Sequence, residues 1–341
     1  MRRIEGKYTL LVGFMMMLML GNVFGLSASA GESFLTSPLP VRNMYPPLMR
    51  FFDPVPDSAL RDYSDWDIRL DQHLSNIYLA DQWPANQLLV DMELYVADFT
   101  VRKALSEDMD LSLRLSLLRP FNGVLDPLVN SVHDLLHVPA AGRNLRPNNT
   151  FAYHFRPGSG AGWQGTARWE MGNTVISLRK QLIDGDGWAI AGLASVQAPT
   201  ASSSRGWGSG KPDAGLGAIA SFSSDNWFMH MEAWGIYTFA KDVASGALPA
   251  VKYQPYARGS ATLGWKYSDQ LSLIAQAQGG MSPYSSGLRQ LDNPPFIYSF
   301  GLQGETDSGT GWSFIFTENG LTQQTTQDFT MTVSLHRQFP D

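Results

Sequence analysis

Four groups of residues in this chain could do chemistry. His133 and His137 stand four apart in a segment of helical spacing, which puts two imidazoles on one face as in a zinc helix. No glutamate follows His133 and no third ligand is evident, so no metal site is assigned. His230 and Glu232 share one face of an alternating segment, and a serine beside them would complete the nucleophile and base of a membrane-embedded lipid hydrolase. The sequence does not select that serine. Gly206-Trp207-Gly208-Ser209-Gly210-Lys211 has the outline of a phosphate loop, but Pro212 occupies the place of the hydroxyl residue that would hold magnesium. It reads as a flexible external loop. The fourth group is a charged row: Asp67, Arg69, Asp71 and His73 alternate along one segment, and Asp110 and Arg114 lie in another. Such rows line a polar interior, where they either bind a passing solute or pair with each other. Cysteine is absent, which excludes disulfides, thiolate metal sites and a cysteine nucleophile. No cofactor is implied.

The elements that carry these residues alternate with period two. Trp66, Ile68, Leu70 and Leu74 oppose the charged row, and Met109, Leu111, Leu113, Leu115 and Leu117 oppose Asp110, Ser112, Arg114 and Ser116. Period two means a strand with one apolar and one polar face. The pattern recurs in twelve segments, near 65–78, 88–101, 108–118, 174–183, 187–197, 214–223, 227–239, 257–267, 270–279, 297–305, 311–318 and 328–339. Short polar turns at 184–187, 224–226, 268–270 and 306–311 alternate with long connections at 198–213, 240–256, 280–296 and 319–328. That asymmetry belongs to transmembrane barrels with tight periplasmic turns and longer external loops. Trp188, Trp227 and Trp312 directly follow short turns and Trp265 precedes one, the placement of an interfacial aromatic ring. The expected fold is therefore all-β: a transmembrane antiparallel up-and-down β-barrel of about 12 strands, or 14 if 150–156 and 163–170 add a hairpin.

Other segments break the pattern. Residues 1–30 read as a signal peptide: Arg2 and Arg3, an apolar run from Leu10 to Leu20, and Ala28-Ser29-Ala30 before the expected cleavage. Residues 31–63 are irregular and Pro-rich, and the barrel is assigned to 64–341. Within it, 119–148 is an insertion with a short helix, opened by Asp126 and stopped by Pro139, in a long external segment. A net charge of −6 leaves no basic footprint for nucleic acid. Mean hydropathy of −0.15 is too polar for a helical membrane bundle and ordinary for a barrel.

Ser37-Pro38-Leu39-Pro40-Val41-Arg42-Asn43 resembles the opening of the proteobacterial domain-of-unknown-function family three-one-eight-seven. Gly123-Val124-Leu125-Asp126, His133 and Gly142-Arg143 are similar to that family's helical insertion. A weaker similarity joins Met171-Gly172-Asn173-Thr174 and Gly208-Ser209-Gly210 to outer-membrane proteins of phenol-degradation pathways. These resemblances imply an outer-membrane barrel and suggest uptake of small apolar molecules.

The expected setting is the outer membrane of a Gram-negative bacterium, reached by export, with membrane lipid and the barrel-assembly machinery as partners. Phe339 is the aromatic that this machinery would read, displaced two residues from the end. The leading expected function is passive passage or uptake of a small, possibly apolar solute. The alternatives are a closed structural or lipid-binding barrel, with the helix near 125–137 packed inside, and the lipid hydrolase.

Overall fold

A computed structural model describes residues 32–60, 65–83, 86–123, 125–127, 147–157, 162–242, 251–306, 309–319 and 325–339. Twelve strands close into an antiparallel ring. In order around it they are β1 (Trp66–Trp83), β2 (Asn86–Ser106), β3 (Met109–Phe121), β7 (Thr174–Gly185), β8 (Trp188–Ala198) and β9 (Asp213–Ser223), then β10 (Trp227–Thr238), β12 (Tyr256–Ser268), β13 (Leu271–Gly280), β15 (Phe296–Glu305), β16 (Gly311–Asn319) and β17 (Phe329–Phe339). The seam pairs the first strand with the last, from Trp66↔Phe339 to Asn76↔Phe329. Closure leaves no strand edge in the wall, which a hydrocarbon environment requires.

The alternation sorts the two faces. Leu111, Leu113, Leu115, Leu117, Leu216, Leu263, Phe300 and Phe314 are exposed on the outside. In water so many exposed apolar side chains would be a liability; against lipid they are the stabilising surface. Trp188, Trp227 and Trp265 are exposed at the short-turn end, and Tyr237, Phe239 and Phe296 at the opposite end. The inner face is largely polar, with apolar positions such as Phe228, Ile274 and Ile315 among them. A continuous row of paired residues, Ser75, Thr330, Thr317, Ser299, Gln276, Thr262, His230 and Ser221, winds around the wall, and every member is buried.

The remaining strands stand outside the ring. β1 and β2 run past the rim at the long-connection end, where β4 (Ala152–Arg156) pairs with Gln87–Asp91 and β5 (Trp163–Gln164) pairs with β4. The hairpin expected at 150–156 and 163–170 thus decorates an extended β2, and the fourteen-strand alternative is set aside. β6 (Glu170–Met171) adds to β3, and β11 (Lys252–Tyr253) pairs with β14 (Tyr284–Ser285). With a short helix at Arg289–Asp292 these pieces build a cap over the mouth at the long-connection end. Trp163 lies in this cap, buried beneath the Arg50 guanidinium at 3.9 Å from the ring centroid, and is not part of an aromatic girdle. The proposed phosphate-like loop is folded into the cap as well: Trp207 is 1% exposed, so this loop is not a free external one.

Leu115 stands on the lipid face in the middle of β3. Leu115→Arg is expected to destabilise the barrel by about 2–4 kcal/mol, as a midplane cation does in such walls. Urea unfolding in lipid vesicles measures this, and an unchanged midpoint would show that Leu115 does not face hydrocarbon.

Candidate functional site

The bore is occupied by the chain's own N-terminal segment, here termed the strap. Phe34 marks its start at the short-turn mouth, stacked on His336 at 4.8 Å. The chain then rises through the bore, turns in a short helix at Pro46–Met49 beneath the cap, and descends through residues 52–60 to the foot of β1.

An extended chain with no neighbouring strand must still dispose of its backbone donors. Six prolines, at 38, 40, 46, 47, 54 and 56, remove that many N–H groups outright. The wall takes others through side chains. Gln276 accepts from the Leu39 amide at 2.9 Å and donates to the Leu39 carbonyl at 3.0 Å. Gln278 donates to the Val41 carbonyl at 3.0 Å, and Gln327 accepts from Met44 at 2.9 Å. On the descending pass the Phe52 amide meets Asp213 at 2.7 Å, Asp57 meets Glu232 at 2.9 Å and Ala59 meets Ser221 at 2.8 Å. The two passes also hold each other, with the Asn43 amide donating to Asp53 at 2.9 Å.

Charges are matched across the same boundary. Arg42 of the strap pairs with Asp98 of β2 at 3.0 Å, Asp53 with Arg258 of β12 at 2.9 Å, and Asp57 with Arg102 of β2 at 2.8 Å. The upper part of the strap is different in kind. Tyr45, Leu48, Phe51 and Phe52 join Tyr153, Trp163, Trp207 and Tyr284 in an apolar core under the cap. Arg50 is anchored there by the Gly208 carbonyl at 3.1 Å.

The six charged residues of the alternating rows all project into the bore. Asp67 pairs with His336 at 2.8 Å, and Arg69 with Asp71 at 2.9 Å. Asp71 also accepts from Ser334. His73 Nδ1 lies 2.8 Å from the Thr332 hydroxyl, with Nε2 3.8 Å from Asp98. Asp110 receives Arg179 at 2.6 Å and Arg102 at 3.3 Å. Arg114 reaches the strap, donating to the Asp53 carbonyl at 3.2 Å. Of the helical insertion, Asp126 accepts from Asn76 at 3.1 Å and from the Asn149 amide at 2.6 Å. His133, His137 and Arg143 lie outside the described residues.

His230 does meet a serine: its Nδ1 is 2.7 Å from Ser221 Oγ. The rest of a hydrolase is not assembled. His230 Nε2 is 2.6 Å from the Thr36 carbonyl, and Glu232 turns to Asp57 and Trp234 instead of the imidazole. The pair ties both strap passes to the wall, Thr36 through His230 and Ala59 through Ser221.

Sequence reasoning misses the strap residues Arg42, Asp53 and Asp57. Their signal is the composition of 39–52, where Leu39, Val41, Met44, Tyr45, Leu48, Met49, Phe51 and Phe52 are too apolar for a solvated linker.

A closed twelve-strand wall with an apolar exterior and a largely polar interior defines the fold as that of an outer-membrane β-barrel. The chain belongs to the family described as Protein of unknown function (DUF3187), whose model matches residues 15–339. It is similar in fold to the COG4313 outer membrane channel from Pseudomonas putida F1, at 8% identity over 82% of this chain and 97% of that one, with a TM-score of 0.53. Looser likenesses, which carry no weight here, are the KdgM porin (5% identity, 80% of this chain and 99% of that one, TM-score 0.44) and the P. putida toluene transporter TodX (11%, 83% and 92%, 0.40). No curated protein matches the chain.

Arg42→Ala would leave Asp98 buried without its guanidinium, a change that costs about 3 kcal/mol in comparable buried pairs. Amide hydrogen exchange over residues 38–44 is expected to accelerate about a hundredfold, with part of the protection restored by Asp98→Asn in the same chain. Unchanged exchange in Arg42→Ala would show that the pair does not hold the strap.

Proposed function

We propose that the protein is an outer-membrane channel for the passive passage of a small solute, and that the strap is its gate. The observation that carries this reading is what fills the bore. A purely structural barrel of modest size is filled by the side chains of its own wall. Here the wall contributes many short groups, among them Ser75, Ser221, Ser272, Ser299, Ser313, Ser334 and Thr317, and the space they leave is taken by a separable segment. In the ascending and descending passes that segment is held largely by ion pairs and hydrogen bonds, which water can replace, with one small apolar contact of Leu39 and Val41 against Phe228, Ile274 and Ile315, while its turn sits in the larger apolar core under the cap.

Withdrawal of the strap would leave a bore lined by hydroxyls, glutamines and charges of both signs, together with apolar side chains such as Phe228, Ile274 and Ile315. Such a lining suits a small solute that carries both polar and apolar groups. The asymmetry of short turns and long connections supports an orientation with the cap outward, and the leader-like N-terminus supports export to the outer membrane. The Asp67, Arg69, Asp71, His73, Asp110 and Arg114 rows would then be the lining that solute meets. The closed-barrel alternative keeps one point in its favour, which is that the bore is occupied; among the described residues the occupant is the strap, and most of the helix expected near 125–137 lies outside them.

Single-channel recording in planar bilayers tests the proposal. The native chain should show rare openings. Replacing Arg42 by Gln, Asp53 by Asn and Asp57 by Asn together should raise the open fraction at least about tenfold, the effect of some 1.4 kcal/mol on the strap equilibrium. If correctly folded barrels of both kinds pass no current and no solute, the closed structural reading replaces this one.

A further inference from the structure

The outer face of β3 carries the apolar row Leu111, Leu113, Leu115 and Leu117, all exposed. The next residue in that row is Arg119. At about 3.3 Å per residue and a tilt of about 40°, Arg119 stands some 20 Å above Leu111, where hydrocarbon gives way to headgroups. Its register partner on β2 is Tyr95, which shares its face. Trp169, 53% exposed, lies edge-on to Tyr95 with ring centroids 6.1 Å apart, and the Arg119 guanidinium is 5.9 Å from the Trp169 ring centre. An arginine beside exposed tryptophan and tyrosine is the composition of a membrane interface.

The charge at this place is not balanced. Arg168 and Arg205 share one carboxylate, Glu170, at 2.9 and 2.6 Å. Among the described residues no carboxylate lies within ion-pair distance of Arg119. Two guanidiniums thus share one carboxylate, and Arg119, on the outward face with Trp169, adds a third cation to this end. At the other end of the wall Lys180 is paired to Asp108 at 3.3 Å and Lys103 to Asp65 at 3.5 Å.

We infer that Arg119, Arg168 and Trp169 form a docking site for the phosphate of a phosphorylated glycolipid in the outer leaflet. The inference rests on the cap-outward orientation, and it is independent of whether the bore conducts. Guanidinium forks match phosphate oxygens in pairs, which favours phosphate over a lone carboxylate. The exposed Leu117, Met171 and Trp169 beneath supply contact for acyl chains, which free phosphate lacks. Cation and apolar surface together give the two-part recognition that holds a lipid at an interface.

Native mass spectrometry of the detergent-purified full chain reads the site directly. The probe is hexa-acylated, bisphosphorylated lipid A, with phosphatidylcholine and inorganic phosphate as comparisons. Lipid A should be retained on the native chain in preference to phosphatidylcholine, and millimolar inorganic phosphate should not displace it. Arg119→Gln with Arg168→Gln should reduce retention at least about tenfold, equivalent to a loss of some 1.4 kcal/mol. Trp169→Ala alone, which leaves the ring strands untouched, should also reduce it. Lys103→Gln with Lys180→Gln, at the opposite rim, should retain lipid A as the native chain does. Equal retention by the Arg119 and Arg168 double variant and by Trp169→Ala would overturn the assignment. Displacement by inorganic phosphate would also overturn it, by showing a phosphate site without lipid selectivity.

Discussion

Everything in this molecule answers one constraint: a backbone amide or carbonyl placed in hydrocarbon must find its partner within the protein. The ring of twelve strands meets it outward, by pairing β1 with β17 and leaving no edge. The strap meets the same demand inward by other means. It has no ladder, so proline deletes some donors, wall side chains such as Gln276, Asp213 and Glu232 accept others, and the strap satisfies several more within itself. The polar inner wall is thus as much a scaffold for a foreign backbone as it is a lining.

The two halves of the wall divide their labour accordingly. Outward residues are selected for bulk and apolarity and make few directional contacts. Many inward residues are short and hydrogen-bonded in cross-strand pairs, Ser75 with Thr330 at 2.7 Å and Ser299 with Thr317 at 2.8 Å. Inward charges are met by an opposite charge, as Asp98 is by Arg42, or by backbone amides of the strap, as Asp213 and Glu232 are. The cap combines both styles, with an apolar core where strap and loops converge and polar groups at its margin.

The barrel was legible in the sequence because its two faces meet two different solvents. The alternation of Leu111 to Leu117 with Asp110 to Ser116 records that difference residue by residue. Turn length likewise marked the two ends of the barrel. The strap was not legible because it is surrounded on all sides. A chain with no exposed face has no period, and residues 38–56 read only as Pro-rich and irregular. Local context also misleads where two environments share a signal: in the sequence Trp163 follows a glycine-rich stretch as Trp188 does, but the cap buries it. The partners of Asp53, Arg102 and Arg114 lie on segments far apart in the chain, and no local pattern announces such meetings.

The path of the strap has a topological consequence. Its two ends, Phe34 beside His336 and Ala59 beside Ser221, both lie toward the short-turn mouth, and only its bend reaches the cap. It is a bight, not a thread. A bight can be drawn out of a closed cylinder, or pushed back into it, without passing a free end through and without parting any pair of staves. The cylinder can therefore stay whole while its contents come and go.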